Sequence, residues 1–251
     1  MRRKDRQSKI ADTVRKRGKI SSLNLAAELN VSVETVRRDL VDLAERGLVQ
    51  KVHGGAKRPR LFEESSFSER LAIHESGKRQ IARKLLSVIE PGDTLFLDTG
   101  STTLMCAETL VELQKLTIIT NSVAIAQVFA QSPGTADVYL LGGAFRADNR
   151  QTVGPLAIDQ VGEFRADHAV LAVAAIDAQG GAMDAAFDEA RVARAMIDNA
   201  GSVVVLADAS KIGRKAAFHV CDLREIDVFV SDREPTPELA LALNHAGAVC
   251  P

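Results

Sequence analysis

"VSVETVRRDL", residues 31–40, sets two arginines side by side just after a serine that can start a helix. Val33, Val36, Leu40 and Leu43 recur at spacings of 3, 4 and 3, which predicts a single apolar stripe along an α-helix. Ser32 is placed to cap that helix, and Gly47 to stop it. Thr35, Arg37 and Arg38 then fall on the outward face, close to the helix start.

The flanking residues give this helix a setting. On the N-terminal side, Ile10 and Val14 lie four apart in a basic helix expected to end near Gly18. Ser22 is the expected cap of a second helix, with Leu25, Ala26 and Leu29 on its apolar face, and Asn30-Val31 makes a tight turn. Three short helices with a tight turn before the last form a helix-turn-helix, whose final helix reaches base edges with its N-terminal residues. An arginine there can donate two hydrogen bonds to guanine O6 and N7, and Thr35 can reach a phosphate or a thymine methyl. On the C-terminal side, "LVQKVHGGAKR" predicts a strand over 48–52, then His53 and a hairpin turn at Gly54-Gly55. Lys51, His53, Lys57 and Arg58 flank the tip of this wing, and its glycines let the backbone approach a phosphate.

Alone, an Arg-Arg pair is ordinary solvated surface. Charge argues otherwise here. The 251-residue chain has a net charge of only −1, yet residues 1–60 hold 16 Lys/Arg against 7 Asp/Glu and the remainder is acidic. A basic head on an acidic body points to a head that meets a polyanion. The three cysteines, Cys106, Cys221 and Cys250, show no metal-binding spacing and read as reduced thiols of a cytoplasmic protein. The basic N-terminus lacks the apolar core of a signal peptide, and no apolar run approaches the ~20 residues of a membrane span. No metal and no cofactor are expected.

Residues 59–77 are polar, without a sustained apolar period, and read as a linker between a winged helix-turn-helix domain (1–58) and a second domain (78–251). In that second domain the apolar strands "TLFLD", "LTIIT", "DVYLLGG", "HAVLAVAAI", "SVVVLAD" and "DVFVSD" alternate with helices, which predicts a mostly parallel, doubly covered α/β sheet. Small, hydroxyl and charged residues collect after the strands: "DTGSTT" at 98–103, "TNS" at 120–122, Gly142-Gly143, "AAID" at 174–177 and "ADASK" at 207–211. Parallel sheets bind ligands at such carboxyl ends. In "DTGSTT" a glycine and hydroxyls lead into a helix start, where free N–H groups suit a phosphate. Lys211 can add positive charge, and Asp98 can accept hydroxyl protons from a polyol.

"LAAELNVSVETVRRDLVDLAERGLVQKVHGGA" resembles the head of the DeoR-type bacterial transcriptional regulators. "LFLDTGSTT", "TIITNS", "YLLGG", "GPLA", "DEARVARAMI" and "VVVLADASKIGR" follow that family's sensor domain in order, so the resemblance spans nearly the whole chain. It looks closest to the branch containing the glycerol-3-phosphate repressor. The resemblance implies a sensor similar in fold to sugar-phosphate isomerases, a phosphorylated sugar or polyol effector, operator DNA as partner, repression, and a homodimer or homotetramer. Candidate DNA contacts are Ser22, Ser32, Thr35, Arg37, Arg38, Lys51, His53, Gly54 and Gly55. Candidate effector contacts are Lys78, Asp98, Thr99, Gly100, Ser101, Thr102, Thr103, Asn121, Gly142, Gly143, Glu189 and Lys211. Two positions depart from the family pattern: Ala174-Ala175 stand where glycine is common, and Asp184-Ala185-Ala186 where that branch often has Asp-Phe-Asp. The alternative is a sugar-phosphate isomerase with an added head. Its proton transfers need a tuned base, a role open to Glu189 or Lys211, but the acidic loop of such isomerases is missing.

Overall fold

The chain divides into two compact units between residues 62 and 63. The structure, a computed structural model, describes residues 2–45, 48–58, 65–132, 134 and 136–251. The expected helix stop Gly47 and the linker residues Leu61 and Phe62 lie outside the described residues.

In the first unit, α1 (Arg3–Arg17) ends at Gly18, whose φ of 77° lets its amide reach Val14 O at 2.9 Å. β1 (Lys19–Ser21) follows, then α2 (Ser22–Leu29) and α3 (Val33–Glu45). Asn30 makes the turn between these two helices in the left-handed conformation. The stripe is buried as expected: Val36, Leu40 and Leu43 pack with Ile10, Val14 and Leu25, and Val33 is partly buried beside them. Each such buried side chain stabilises by roughly 1.5–3 kcal/mol. Ser32 Oγ accepts from the Thr35 amide at 3.1 Å, the expected cap. The α2 cap is a correction. Ser21, not Ser22, accepts from the Asn24 amide, and Ser22 is the buried first residue of the helix.

The wing is shorter than expected. β2 is Gln50–Val52 and β3 is Gly55–Lys57, so the two-residue turn is His53-Gly54, and Gly55 is a strand residue. β1, absent from the sequence reading, pairs antiparallel with β3 and completes a three-stranded sheet. That pairing explains Gly55: a Cβ there would stand 2.2 Å from Ile20 O.

The second unit begins inside the expected linker. α4 (Phe67–Ala72) is closed by a capping box of Ser66 and Glu69, and Phe67 is buried. A Ser-x-x-Glu cap and one anchoring aromatic suffice for a helix of under two turns, too short to show an apolar period. α5 (Glu75–Leu85), β4 (Thr94–Leu97), α6 (Ser101–Leu110), β5 (Leu116–Thr120), α7 (Val123–Ala130) and β6 (Ala136–Leu140) follow. Then come the hairpin β7 (Ala144–Arg146) and β8 (Gln151–Val153), α8 (Pro155–Gly162) and β9 (Ala166–Ala172). The chain continues with β10 (Ala175–Asp177), β11 (Gly181–Asp184), α9 (Phe187–Asp198), β12 (Ala200–Leu206), β13 (Phe218–Cys221), β14 (Val228–Val230) and α10 (Pro237–Ala246). "HAVLAVAAI" is therefore two strands, not one: β10 leaves the main sheet and joins β11 and β13 in a small antiparallel sheet.

The main sheet is parallel throughout, in the order β14-β12-β9-β4-β5-β6. Alternate residues face opposite layers. Leu95, Leu97, Ile118, Val204 and Leu206 pack under α5, α6 and α7. Phe96, Ile119, Val203, Val205 and Phe229 pack under α8, α9, α10 and the small sheet. Burial on both faces is why these strands read as unbroken apolar runs. From β4 the chain winds one way through β5 and β6, then returns beside β4 and winds the other way through β9, β12 and β14. The winding reverses between β4 and β9, and a crevice opens at such a point. Among the described residues no helix is long and apolar enough to cross a membrane.

Candidate DNA-binding face and effector site

α3 is held by its inner side and leaves its outer side open. Asp39, almost fully buried, takes the Arg6 guanidinium at 2.5 Å and the Gln7 amide at 3.2 Å, which ties α3 to α1. Asp39 lies on the stripe side with Val36, Leu40 and Leu43, a signal present in the sequence and missed there. Opposite it, the Arg37 and Arg38 side chains are 65% and 79% exposed and face Glu34 at 3.6 and 3.7 Å. Thr35 is half-buried, with its hydroxyl 2.8 Å from that of Ser32. In the wing, Lys51, His53 and Gly54 are exposed. Arg58, expected beside the tip, turns back instead: its guanidinium donates to Arg15 O at the end of α1. Ser22 and Gly55 are buried, and the Ser22 amide donates to Gly54 O at 2.8 Å, so both serve the packing of the wing.

In the second unit a narrow cavity of about 30 Å³ lies at the β4/β9 reversal. Its walls come from the loop after β4 (Thr99, Gly100, Ser101, Thr102), from Ala172–Ala174 after β9, and from Lys211 after β12. Arg70 of α4, Asp184 and Glu189 complete it. Gly100 precedes α6 with a φ of 146°, and among the described residues no side chain caps the helix, so the first-turn amides at Ser101 and Thr102, two cavity-lining residues, have no acceptor inside the helix. Lys211 is held in place through its carbonyl, which accepts from the Ile176 amide of β10 at 3.1 Å. Asp98 is buried behind the loop. Burial, reinforced by Asp184 and Glu189, pushes its carboxyl well above the usual carboxylate range. Among the described residues, the oxygens Asp98 Oδ1 and Thr99 Oγ1 have no hydrogen-bond partner.

Six of the twelve expected effector contacts thus line one cavity: Thr99, Gly100, Ser101, Thr102, Glu189 and Lys211. The others stand apart from it. The Thr103 hydroxyl donates back to Gly100 O, and the Lys78 ammonium donates to Arg70 O. Asn121 donates to Thr152 O at 3.2 Å. Gly142 and Gly143 serve packing, with the Gly142 amide on Gln160 Oε1 at 2.7 Å and no room for a Cβ at Gly143, 2.7 Å from Val153 O. Thr120 and Ser122 likewise use their hydroxyls on the chain, the second as the α7 cap. The sequence reading missed Arg70, and noted Asp184 only as a departure from the family pattern. Arg70 sits in the supposed linker, where the Ser66/Glu69 capping box was the available signal.

A second cavity, of about 400 Å³, adjoins the same Glu189. Arg146, Asp148, Gln151, Val153, Ala186, Phe187 and Asp188 line it. Glu189 Oε1 accepts from both Asn149 Nδ2 and Gln151 Nε2, and Asn149 Oδ1 in turn accepts from Arg70 at 2.6 Å. Among the described residues no group of His, Cys, Asp or Glu is placed to hold a metal ion.

Comparison with known proteins agrees with both halves. Residues 6–60 match the DeoR-like helix-turn-helix domain, and residues 73–233 match the DeoR C terminal sensor domain. The chain is 32% identical to the glycerol-3-phosphate regulon repressor of Escherichia coli (strain K12) over 235 residues, covering 94% of this chain and 93% of that one. It is 35% identical to the lactose phosphotransferase system repressor of Staphylococcus aureus (strain N315) over 238 residues, covering 93% and 94%. Among solved structures, ribose 5-phosphate isomerase A from Methanocaldococcus jannaschii is similar with a TM-score of 0.40 at 18% identity, covering 55% of this chain and 54% of that one. The full-length relatives are transcriptional repressors, not enzymes, which leaves the isomerase alternative without support.

Proposed function

The chain belongs to the DeoR family of transcriptional regulators, and from that premise we propose that it represses a carbohydrate or polyol catabolic operon and is released by a phosphorylated sugar or polyol. One observation carries the effector reading: the cavity at the sheet's reversal joins the open N-terminus of α6 to the cations Arg70 and Lys211. Helix amides and two cations suit a phosphate. Asp184 and Glu189 beside them suit hydroxyl donors, so the two ends of the ligand are told apart. On the DNA side, Arg37 and Arg38 read bases in this proposal, while Lys51, His53 and Gly54 hold the backbone.

Repeated half-sites require more than one head. An oligomer is supported by the edge strand β6, which leaves Tyr139 and Leu140 half exposed, and by Phe145 of β7, also exposed. The test is a titration of fluorescent operator DNA with the full chain, repeated with a panel of sugar and polyol phosphates. A member of the panel should weaken binding by roughly 5–150-fold, the usual range of allosteric coupling. A panel without effect on DNA affinity or on thermal stability would refute the effector reading.

A further inference from the structure

We propose that β6 pairs antiparallel with the β6 of a second copy of this chain, in a two-fold register centred on Val138, so that the two main sheets run on as one. The inference rests on the oligomer supported above and adds which face joins the copies, and in what register.

The two edges of the main sheet are built differently. At β14 the C-terminal segment closes the edge: Val249 bridges Val228, and the Phe229 amide donates to Val249 O at 2.8 Å. At the other end, among the described residues, β6 pairs with β5 alone. Proteins blunt an open edge strand with lysine, proline or a bulge. β6, "ADVYL", has neither lysine nor proline, and its register with β5 is unbroken. Its side chains invite cover instead, with Tyr139 and Leu140 about half exposed. The apolar surface continues onto α8. Leu156 and Gln160 of α8, and Phe164 just after it, recur every four residues along one side. The Phe164 ring packs against Tyr139, with centroids 5.3 Å apart, and Gln160 accepts from the Gly142 amide just past β6. Leu156, at the far end of this line, is 57% exposed. An apolar patch beside an unpaired strand marks an interaction site.

The main chain shows why the occupant is a second copy. The Leu141 amide donates to Thr120 O of β5 at 2.8 Å. Main-chain groups alternate in direction along a strand, so Asp137 and Tyr139 also turn theirs to β5, while Ala136, Val138 and Leu140 turn theirs outward. These three are evenly placed about Val138. A two-fold axis there sets Val138 opposite itself and Ala136 opposite Leu140, with about six hydrogen bonds in all. The same register sets Asp137 opposite Tyr139 of the second copy, in a pair without main-chain bonds, where facing side chains are closest. The carboxylate can accept from the phenol, and the two Asp137 carboxylates are kept apart. The strand is thus its own complement in hydrogen bonds and in charge. A reader of repeated half-sites needs a second copy in any case.

Light scattering after size exclusion gives the mass of the full chain and of two variants, Tyr139→Lys and Val138→Pro. A lysine on an open edge blocks strand pairing. The Val138 N–H faces away from β5, so proline there removes no bond within the chain. Circular dichroism and thermal unfolding check the fold; Tyr139→Lys changes a half-exposed side chain and serves alone if the proline variant misfolds. We expect each folded variant to fall to half the wild-type mass. Register is tested in a background with the exposed Cys250 replaced, Cys250→Ser. There Asp137→Cys/Tyr139→Cys should link two chains by disulfide under mild oxidation, and Asp137→Cys alone should not. Folded variants of wild-type mass, or linkage by Asp137→Cys alone, overturn the inference and leave the oligomer reading standing. A wild-type chain that stays monomeric with and without operator DNA overturns both, and assigns the edge to a partner of another kind.

Discussion

Arg38 offers the sharpest separation between reading DNA and merely attracting it. Its side chain is 79% exposed, and among the described residues its ion-pair partner is Glu34, at 3.7 Å on the same helix. An exposed pair of that kind contributes about 0.3–0.5 kcal/mol, so Arg38→Ala should leave the thermal transition nearly where it was. Nothing in the apolar stripe depends on it. Affinity for the specific site is another matter. If Arg38 forks onto a guanine, its loss should cost about 1–3 kcal/mol, roughly a 5–150-fold rise in Kd. The loss should fall on the specific site and relax preference at one base pair. On scrambled DNA only a fraction of one counterion is at stake, so the salt slope should change by less than about one unit. Lys51→Ala should behave oppositely, weakening both duplexes alike and flattening the slope by about one unit. The assay is anisotropy with a duplex selected by the wild-type chain and with its scrambled counterpart, each at three salt concentrations. Equal losses on the two duplexes would make Arg38 a phosphate contact. No loss on either would refute the assignment of α3 as the reading helix.

Three further outcomes follow from the structure. Thr102→Asp places a carboxylate at the α6 N-terminus, where a helix tolerates it, and where it repels a phosphate; the DNA titration should show basal binding retained and effector response lost. Gly55→Ala drives a Cβ against Ile20 O and Ser21 Cα, main-chain atoms that cannot step aside; the head should lose about 1–3 kcal/mol in a melt followed by circular dichroism, and operator binding with it. Asp98 has a folded-state pKa raised by burial and by Asp184 and Glu189. Its contribution is greatest below the ordinary carboxylate pKa of about 3.9 and is lost as pH rises through the folded value, so stability should fall with rising pH over that window. Asp98→Asn should flatten the fall, and an unchanged pH profile of the melting temperature in that variant would show that other groups set it.

How much of this the sequence carried depends on the kind of signal each element needs. α3 and the parallel strands were legible because burial imposes a period: 3.6 residues for one helix face, an unbroken apolar run for strands covered on both sides. β1 was not, since three residues between two helices leave no room for a period, and its partner β3 is distant in sequence. The β7–β8 hairpin and the β10-β11-β13 sheet are short pieces joined by tertiary contacts, and they pass for irregular chain. Arg70 was missed for a related reason. α4 has fewer than two turns, and only its capping box declares it. Site residues set by a local motif, Ser101 and Thr102 above all, were found. Of those delivered by distant elements, Glu189 and Lys211 were found, Asp184 showed only as a departure from the family pattern, and Arg70 was not found.

The residue types at the sheet's edge could not by themselves separate ligand contacts from structure, because both use Thr, Ser, Asn and Asp. Hydrogen-bond accounting separates them. The hydroxyls of Thr103, Thr120 and Ser122 are all engaged with the chain, and none of the three residues lines either cavity. Among the described residues Asp98 Oδ1, Thr99 Oγ1 and Gln151 Oε1 are buried and unmet; Thr99 lines the cavity at α6, Asp98 precedes it in the chain, and Gln151 lines the cavity beyond Glu189. His168 Nδ1 is a buried exception on β9 near Asp93, and Asn121 Oδ1 is another after β5. A folded chain meets nearly all its buried polar atoms, so those left over carry more information than the sequence motif that contains them. Here they divide "DTGSTT" itself. Thr103 closes the loop on Gly100, while Asp98 and Thr99 keep acceptors unpaired beside the open amides of α6. The same six residues thus build the turn and present the site, and only the partner of each oxygen tells which residue does which.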